Sequence, residues 1–343
     1  MIDWYYDLIM AITIKDIAKR VGVAPSTVSR ALNGRGRMSS VTREKIRQVA
    51  QELGYYPNML AKGLTTRKAG SVGVVIDRRH IPVERSFYSA IIEAIESTAT
   101  PHGYHVIFAT LKNYSSLKIV KERKVDGVVL IGTDISDELA SSLLEEIPIV
   151  LVDNHLQGVD SIAVDNFGGA YRAVEYLIEL GHRKIGFVTE TMRDLSFRER
   201  FAGYQEALKK YGIKLDEQLI AEGGRRRGSG SIALEKLFEG KTLPTAIFVA
   251  NDYTAVEVIW AIKAAGLNVP EDISVVGFDD NDIARIVDPL LTTVHVPRKR
   301  MGEEAFRRLL ALIGDPTLSP TKIVFPTELV IRDSSGYKAR STS

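Results

Sequence analysis

From Ser71 onward the chain alternates short runs of buried-type residues with amphipathic helical stretches, and this alternation constrains the fold more than any other feature. The runs Val72 to Ile76, His105 to Ala109, Gly127 to Ile131, Ile149 to Val152, Ile185 to Val188, Ala246 to Val249 and Ser274 to Gly277 read as strands. Helical periodicity lies between them at Tyr88 to Thr100, Gly168 to Leu180, Arg200 to Tyr211 and Tyr253 to Ala265. Apolar strands separated by helices predict parallel sheet with crossover helices. Two doubly wound halves put a cleft at the carboxyl ends of their strands, where such sheets bind ligands. The residues at those ends are polar: Asp77 and Arg78, Asp153 and Asn154, Asn251 and Asp252, Asp279 and Asp280. Carboxylates and amides so arrayed suit the hydroxyls of a sugar, because each buried polar group needs a partner. The competing reading is that Asp and Asn stand there only as helix caps and turn residues.

Ahead of this body, TIKDIAKRVGVAPSTVSRALN at 13–33 reads as two short amphipathic helices joined by a tight turn, the layout of a helix-turn-helix. Thr13 is a cap with Asp16 at capping-box spacing, while Ile14, Ile17, Ala18 and Val21 share one face and Gly22 permits the turn. Pro25 suits the start of the second helix, with Val28, Ala31 and Leu32 inward and Ser26, Ser29, Arg30 and Asn33 outward. That outward set fits a major groove, where Arg bonds guanine edges and Asn bonds adenine. An ordinary helical hairpin with a solvated polar face has the same spacing. Ser39 caps a third helix, Ser40 to Leu53, whose Val41, Ile46, Val49, Ala50 and Leu53 are expected to close the core before Gly54 stops it. The segment from Pro57 to Leu64 reads as a helix too short to be stable alone, and it is expected to order only when bound.

Charge separates the same two parts. The whole chain carries +2, yet residues 11–70 hold twelve Lys/Arg against Asp16, Glu44 and Glu52, about +9, which leaves the remainder at about −7. A small basic head on an acidic body suits a domain that displaces counterions from phosphates. A length of 343 residues exceeds one core, and the expected division is 1–10 as an N-terminal extension, 11–56 as the head, 57–70 as hinge helix and linker, and 71–343 as the ligand-binding and dimerisation core. Cysteine is absent, which excludes disulfide and thiolate chemistry. The opening MIDWYYDLIM carries Asp3 and Asp7 and lacks a basic start, so no secretory signal is read; a cytoplasmic protein is expected, with translation starting at Met10. The six histidines lack zinc-binding spacing, and neither a P-loop lysine pattern nor G-x-G-x-x-G after a strand occurs. No metal, cofactor or catalytic activity is expected.

TIKDIAKRVGVAPSTVSRALN, followed by TREKIRQVAQELGYYPNMLAKGL, closely resembles the DNA-binding head and hinge of the lactose-repressor/galactose-repressor family of bacterial transcription regulators. The body resembles that family's periplasmic-binding-protein-like core through AVDNFGGAYRAVEYLIELGHRKIGFV, RERFAGYQEAL, FVANDYTAVEVIWAIKAAGLNVPEDISVVGFDD and PLLTTVHVP. The resemblance implies an α/β protein in which a small all-α head and hinge helix join a core of two doubly wound subdomains. It implies a ligand-controlled regulator, foremost a repressor of carbohydrate-utilisation genes, acting as a homodimer on double-stranded, near-palindromic operator DNA. The implied DNA contacts are Pro25, Ser26 and Arg30 at the bases, with Thr13, Thr27, Ser29, Asn33, Arg37, Asn58 and Ala61 around them. Leu64 is the implied minor-groove wedge, at a central CpG step.

The implied effector contacts are Asp153, Ser196, Arg200, Asn251 and Asp279, with Asp77 beside them and Phe87 or Tyr88 as the ring-stacking aromatic. Arg225 stands where several sugar-binding members carry a large aromatic, and Arg there favours a carboxylate or phosphate through a bidentate contact. The expected effector is therefore a sugar or an acidic sugar derivative. Leu111 to Lys124 looks shorter than the corresponding family helix, and the tail after Asp333 has no leucine heptads, so a dimer rather than a tetramer is expected. The alternative, a cytoplasmic sugar-binding protein without specific DNA function, leaves the basic head unexplained.

Overall fold

The computed structural model describes residues 12–32, 36–55, 68–77, 87–111, 118–132, 135–225, 227–240 and 242–337. The N-terminal extension, Asn33, the hinge segment with Asn58, Ala61 and Leu64, and Arg78 lie outside the described residues. Contacts divide the chain into two compact units, Met1–Ala69 and Gly70–Ser343.

The first unit contains α1 (Ile14–Val21), α2 (Pro25–Leu32) and α3 (Ser40–Glu52). At the start of α1 the Thr13 backbone N–H donates to Asp16 Oδ2 at 2.8 Å and its hydroxyl donates to the same oxygen at 2.7 Å. Gly22 ends the helix at φ +80, a left-handed conformation that costs glycine nothing and lets the chain turn into α2. Ser39 caps α3 by accepting the Thr42 N–H at 3.1 Å. Ile17, Ala18, Val28, Ala31, Ile46, Val49 and Ala50 form the small core. Val41 does not join them: it is 75 % exposed. Five residues before Ile46 is about 140° away around a helix at about 100° per residue, so Val41 faces outward, whereas Val49, Ala50 and Leu53 recur at the spacing of one face.

The second unit alternates strand and helix. Its first sheet is built from β1 (Ser71–Asp77), β2 (His105–Leu111), β3 (Val128–Ile131), β4 (Ile149–Val152) and β5 (Asp160–Val164), with α4 (Ser89–Ala99), α5 (Lys118–Lys121) and α6 (Asp137–Leu144) interspersed. The chain continues through α7 (Asn166–Glu179), β6 (Ile185–Thr189), α8 (Leu195–Lys210), β7 (Ile220–Glu222), α9 (Ser229–Glu239), β8 (Ala246–Val249), α10 (Asp252–Ala264), β9 (Ser274–Asp279) and β10 (Thr292–His295). It closes with α11 (Arg298–Gly314), β11 (Lys322–Phe325) and β12 (Glu328–Val330). One sheet runs β11-β5-β4-β3-β1-β2, all parallel. The other runs β12-β10-β9-β8-β6-β7, parallel except for β12, which is antiparallel to β10. Central strands such as β3 and β8 are buried at every residue, as a parallel sheet covered on both faces requires.

The sheets are interleaved in sequence, because β11 belongs to the first sheet but follows the second. The chain therefore crosses between subdomains at 164–166, 295–298 and 325–328. Two crossovers are joined directly: the Asp165 N–H donates to Phe325 O at 2.9 Å, and Arg172 Nη2 donates to Thr327 O and Oγ1 at 2.9 and 2.8 Å. The helix expected from Arg200 begins earlier, at Leu195, so Ser196 and Arg200 sit one turn apart on α8. Gly203 lets α8 approach α7: a Cβ there would lie 2.3 Å from Phe167 O.

Candidate functional site

In the head, Pro25 opens α2, and Pro25, Ser26, Arg30 and Arg37 are exposed while Thr27 and Ser29 are half-buried. Arg30 Nε donates to Ser26 O at 3.2 Å, one turn back, which steers an exposed guanidinium along the start of the helix. Thr13 differs from this set, since its hydroxyl is committed to Asp16, whose carboxyl it holds below the usual range.

In the larger unit, the carboxyl ends of the strands converge on the cleft between the sheets. Arg200 is the hub. Its guanidinium is 3 % exposed; Nε donates to Asn166 Oδ1 at 3.0 Å, Nη1 donates to Ala250 O, and Nη2 lies 3.1 Å from Asp279 Oδ1. The guanidinium carbon also sits 3.7 Å from the centroid of Phe278, a buried ring packed against Phe248. Asp279 ends β9, Asn251 and Ala250 follow β8, and Asn166 follows β5, so strands of both sheets supply this network.

Asp279 Oδ1 is fully buried, and its approach to Arg200 is an ion contact without hydrogen-bond alignment, leaving acceptor capacity unfilled. Burial pushes the Asp279 carboxyl up to about 6, with Arg200 and Arg298 opposing the rise. Its backbone has φ +113, and Asp280 and Asp153 have φ +51 and +60. Non-glycine residues held there cost on the order of 1–3 kcal/mol each and collect at ligand-binding sites.

Across the cleft, the Tyr88 hydroxyl donates to Asp153 Oδ2 at 2.7 Å, and Phe87 meets Tyr88 edge to face with centroids 5.1 Å apart. Burial first, then the charges of Asp153, Asp194 and Asp279, hold the Tyr88 phenol well above its ordinary value, so residues of both subdomains share one electrostatic environment. Asp77 is buried at the end of β1. Asn251 has two roles: Oδ1 caps α10 by accepting the Thr254 N–H at 2.9 Å, and Nδ2 donates to Glu190 Oε1 at 3.1 Å. Arg225, half-buried after β7, pairs with Asp194, so its charge is already matched within the protein.

Two strand-end carboxylates serve the scaffold. Asp252 accepts the Asn281 N–H at 2.6 Å and the Thr293 hydroxyl at 2.5 Å; burial and the neighbouring Asp279 raise its pKa well above the ordinary value. Asp280 binds Arg332, Arg285 and His295 at 2.5, 3.0 and 3.0 Å. These two carboxylates are therefore tertiary anchors and not caps, as is Asn154, whose Nδ2 donates to Gly132 O and Ile135 O; the cap reading fits Asn251, which caps α10. Sequence reasoning missed Asn166, Glu190, Asp194 and Arg298. Asn166 was within reach of the strand-end rule, but β5 begins with Asp160 and Ser161 and was not among the strands read.

Residues 13–58 match the family model for bacterial regulatory proteins of the lacI family, and residues 174–335 match that for a periplasmic binding protein-like domain. Catabolite control protein A of Priestia megaterium is 32% identical over 335 residues, covering 95% of this chain and 100% of the relative. The chain belongs to the lacI family of bacterial regulatory proteins. Among solved structures, the lac repressor dimer bound to operator and an anti-inducer superimposes with a TM-score of 0.84 at 28% identity, covering 95% of this chain and 99% of that one. The transcriptional regulator CelR in complex with cellobiose aligns with a TM-score of 0.71 at 30% identity, covering 94% and 99%. This lacI-family regulator thus couples a DNA-binding head to an effector-binding core. No helix among the described residues is long and apolar enough to cross a membrane.

Proposed function

We propose that the protein is a homodimeric, sugar-responsive repressor of carbohydrate-utilisation genes, acting in the cytoplasm on a near-palindromic operator. The head spans 11–56, the hinge with Leu64 as wedge spans 57–70, and the effector core spans 71–343. The buried Arg200–Asp279 pair carries the reading: a fixed ion pair where strands of both sheets end, with the polar side chains Asp153, Ser196 and Asn251 nearby, suits a ligand rich in hydroxyls. Tyr88, Asp153, Ser196, Asn251 and Arg225 complete the ligand set, with Asp77 and Phe87 at its edge. The CelR–cellobiose complex supports a carbohydrate by analogy.

Thermal unfolding against neutral sugars, uronates, sugar phosphates and nucleobases tests the class. A ligand at about a hundredfold its Kd adds about 2.7 kcal/mol. Stabilisation by a saccharide is the expected result; a response to nucleobases alone would sink the carbohydrate reading.

On DNA, Arg30→Ala is expected to lose about 1–3 kcal/mol of discrimination at one base pair in each half-site. Competition among single-base operator variants measures this, and equal weakening on every sequence would make Arg30 a phosphate contact. For the dimer, α10 presents Tyr253 and Trp260, with Trp260 58 % exposed. Lys263 Nζ donates to Asp288 O and Oδ2 at 2.7 and 2.8 Å, holding the chain around exposed Ile286 and Leu290 beside that helix. Large apolar side chains grouped in this way mark an interaction surface. Trp260→Asp is expected to convert the dimer to monomer in sedimentation velocity, and an unchanged dimer would move the interface elsewhere.

A further inference from the structure

We infer that the effector cleft has a second compartment, built to hold a second, uncharged sugar unit, so that the effector is a disaccharide or glycoside rather than a lone monosaccharide. This rests on the carbohydrate reading of the Arg200 site. A cavity of about 230 Å³ opens between the subdomains beside that site, sharing Asp153 and Ser196 with it but extending away from Arg200, toward β5 and β11. At about 30 Å³ per water it has the room of seven or so waters, enough for a ring of pyranose size.

The walls have the chemistry a sugar ring requires. Phe167 lines the cavity with 44 % of its surface exposed, and Leu195 and Val324 extend the apolar side on which the C–H face of a ring can rest. Ser196, only 5 % exposed, supplies a hydroxyl at the wall. Glu199 accepts from Asn166 Nδ2 at 2.9 Å through Oε2, which leaves Oε1 for a ligand hydroxyl. A pocket of this kind, apolar with a few fixed polar groups, is how small-molecule sites obtain orientation.

Asn166 joins the compartments. Its Nδ2 faces Glu199 in the cavity while its Oδ1 accepts from Arg200 in the first site, so the two sets of ligand groups are one amide apart. The cavity also sets the charge of its occupant. Asp153 and Glu199 line it, together with Asp165, which Arg172 meets at 3.5 Å; Lys322 is the one Lys or Arg among the lining residues, with His155 also at the wall, and a carboxylate or phosphate on the second unit would meet like charge at Asp153 and Glu199.

Titration calorimetry on the full chain tests this with matched probes: glucose against cellobiose and maltose, xylose against xylobiose, mannose against mannobiose, and galactose against lactose. The expected result is one disaccharide that binds at least about tenfold more tightly than its component monosaccharide. Phe167→Ala should remove most of that advantage while leaving monosaccharide affinity within about twofold. Ala202→Phe, which fills the cavity from α8, should do the same by exclusion. A monosaccharide that binds as tightly as its disaccharides, or a disaccharide indifferent to both variants, overturns the second compartment and leaves the first site standing. A panel in which no saccharide binds overturns the carbohydrate reading, and the compartment with it.

Discussion

Arg200→Ala is expected to cost about 3–5 kcal/mol of folding stability and to abolish stabilisation by the effector. The guanidinium holds Asn166, Ala250 and Asp279 and lies on Phe278, with 3 % of the side chain exposed. Truncation leaves the Asp279 carboxylate buried without its nearest countercharge. Arg200→Lys should rescue little, because a point ammonium cannot reproduce a planar fork that bonds three groups and stacks on a ring. The defect should depend on pH with a definite sign. Asp279 is raised in the folded state from 3.8 to about 6, so the folded protein holds the extra proton between those values. The associated stability is fully present below 3.8 and is lost as pH rises through about 6. Without Arg200 the rise is larger, and the variant should be less impaired at pH 5 than at pH 8. Urea unfolding at both values measures the first part, and sugar-dependent thermal shift the second. A destabilised variant with a full sugar response would make Arg200 a scaffold residue only.

Asp280→Asn is expected to lose about 2–3 kcal/mol at pH 7 and almost nothing near pH 2. Burial alone would raise this carboxyl, but Arg332, Arg285 and His295 outweigh it and bring it down to about 2. A depressed folded value contributes stability that is fully present above 3.8 and lost as pH falls through about 2. The carboxylate is 3 % exposed, so solvent screens it little. The cluster also reaches a crossover, since His295 ends β10 and Arg298 Nη2 donates to Asp280 O at 2.9 Å. Acid unfolding of wild type and variant should therefore converge at low pH. Parallel curves across the acid range would mean that the three cations do not hold the carboxylate.

The head was largely legible because its determinants are local. A cap, a left-handed glycine and one apolar face per helix are all readable within four residues, and among the described residues Val41, expected in the core, failed a test of helical angle. The central strands were legible for a similar reason, as β1, β3, β4, β6, β8 and β9 are apolar runs buried on both faces. Three of the unread strands are short or at an edge: β7 and β12 have three residues each, and β11 is mostly exposed; β5 is interior but opens with the polar pair Asp160 and Ser161. β10 reads TTVH, two threonines whose burial depends on partners such as Asp252 and Ser335.

The cleft was legible only in part. Strand-end polarity marked Asp153, Asn251 and Asp279 together with Asp252 and Asp280, and all five are buried, but Asp252 and Asp280 spend their oxygens on partners within the second sheet's subdomain. Nothing local separates the two groups. What distinguishes them is pairing across long separations, such as Asn251 with Glu190, 61 residues apart, and Arg332 with Asp280, 52 apart. Arg225 is the sharpest case: sequence gave a cation at the site, and Asp194, 31 residues earlier, supplies the charge that matches it.

The central claim is that a saccharide in the core changes how the head holds DNA. Its most direct test is the affinity of the full chain for a palindromic duplex selected from a random pool, measured at fixed salt with and without the saccharide that gives the largest thermal shift. A coupling of about 1–3 kcal/mol predicts a change of about 5- to 150-fold. An affinity that stays the same with the core saturated by sugar would contradict the account.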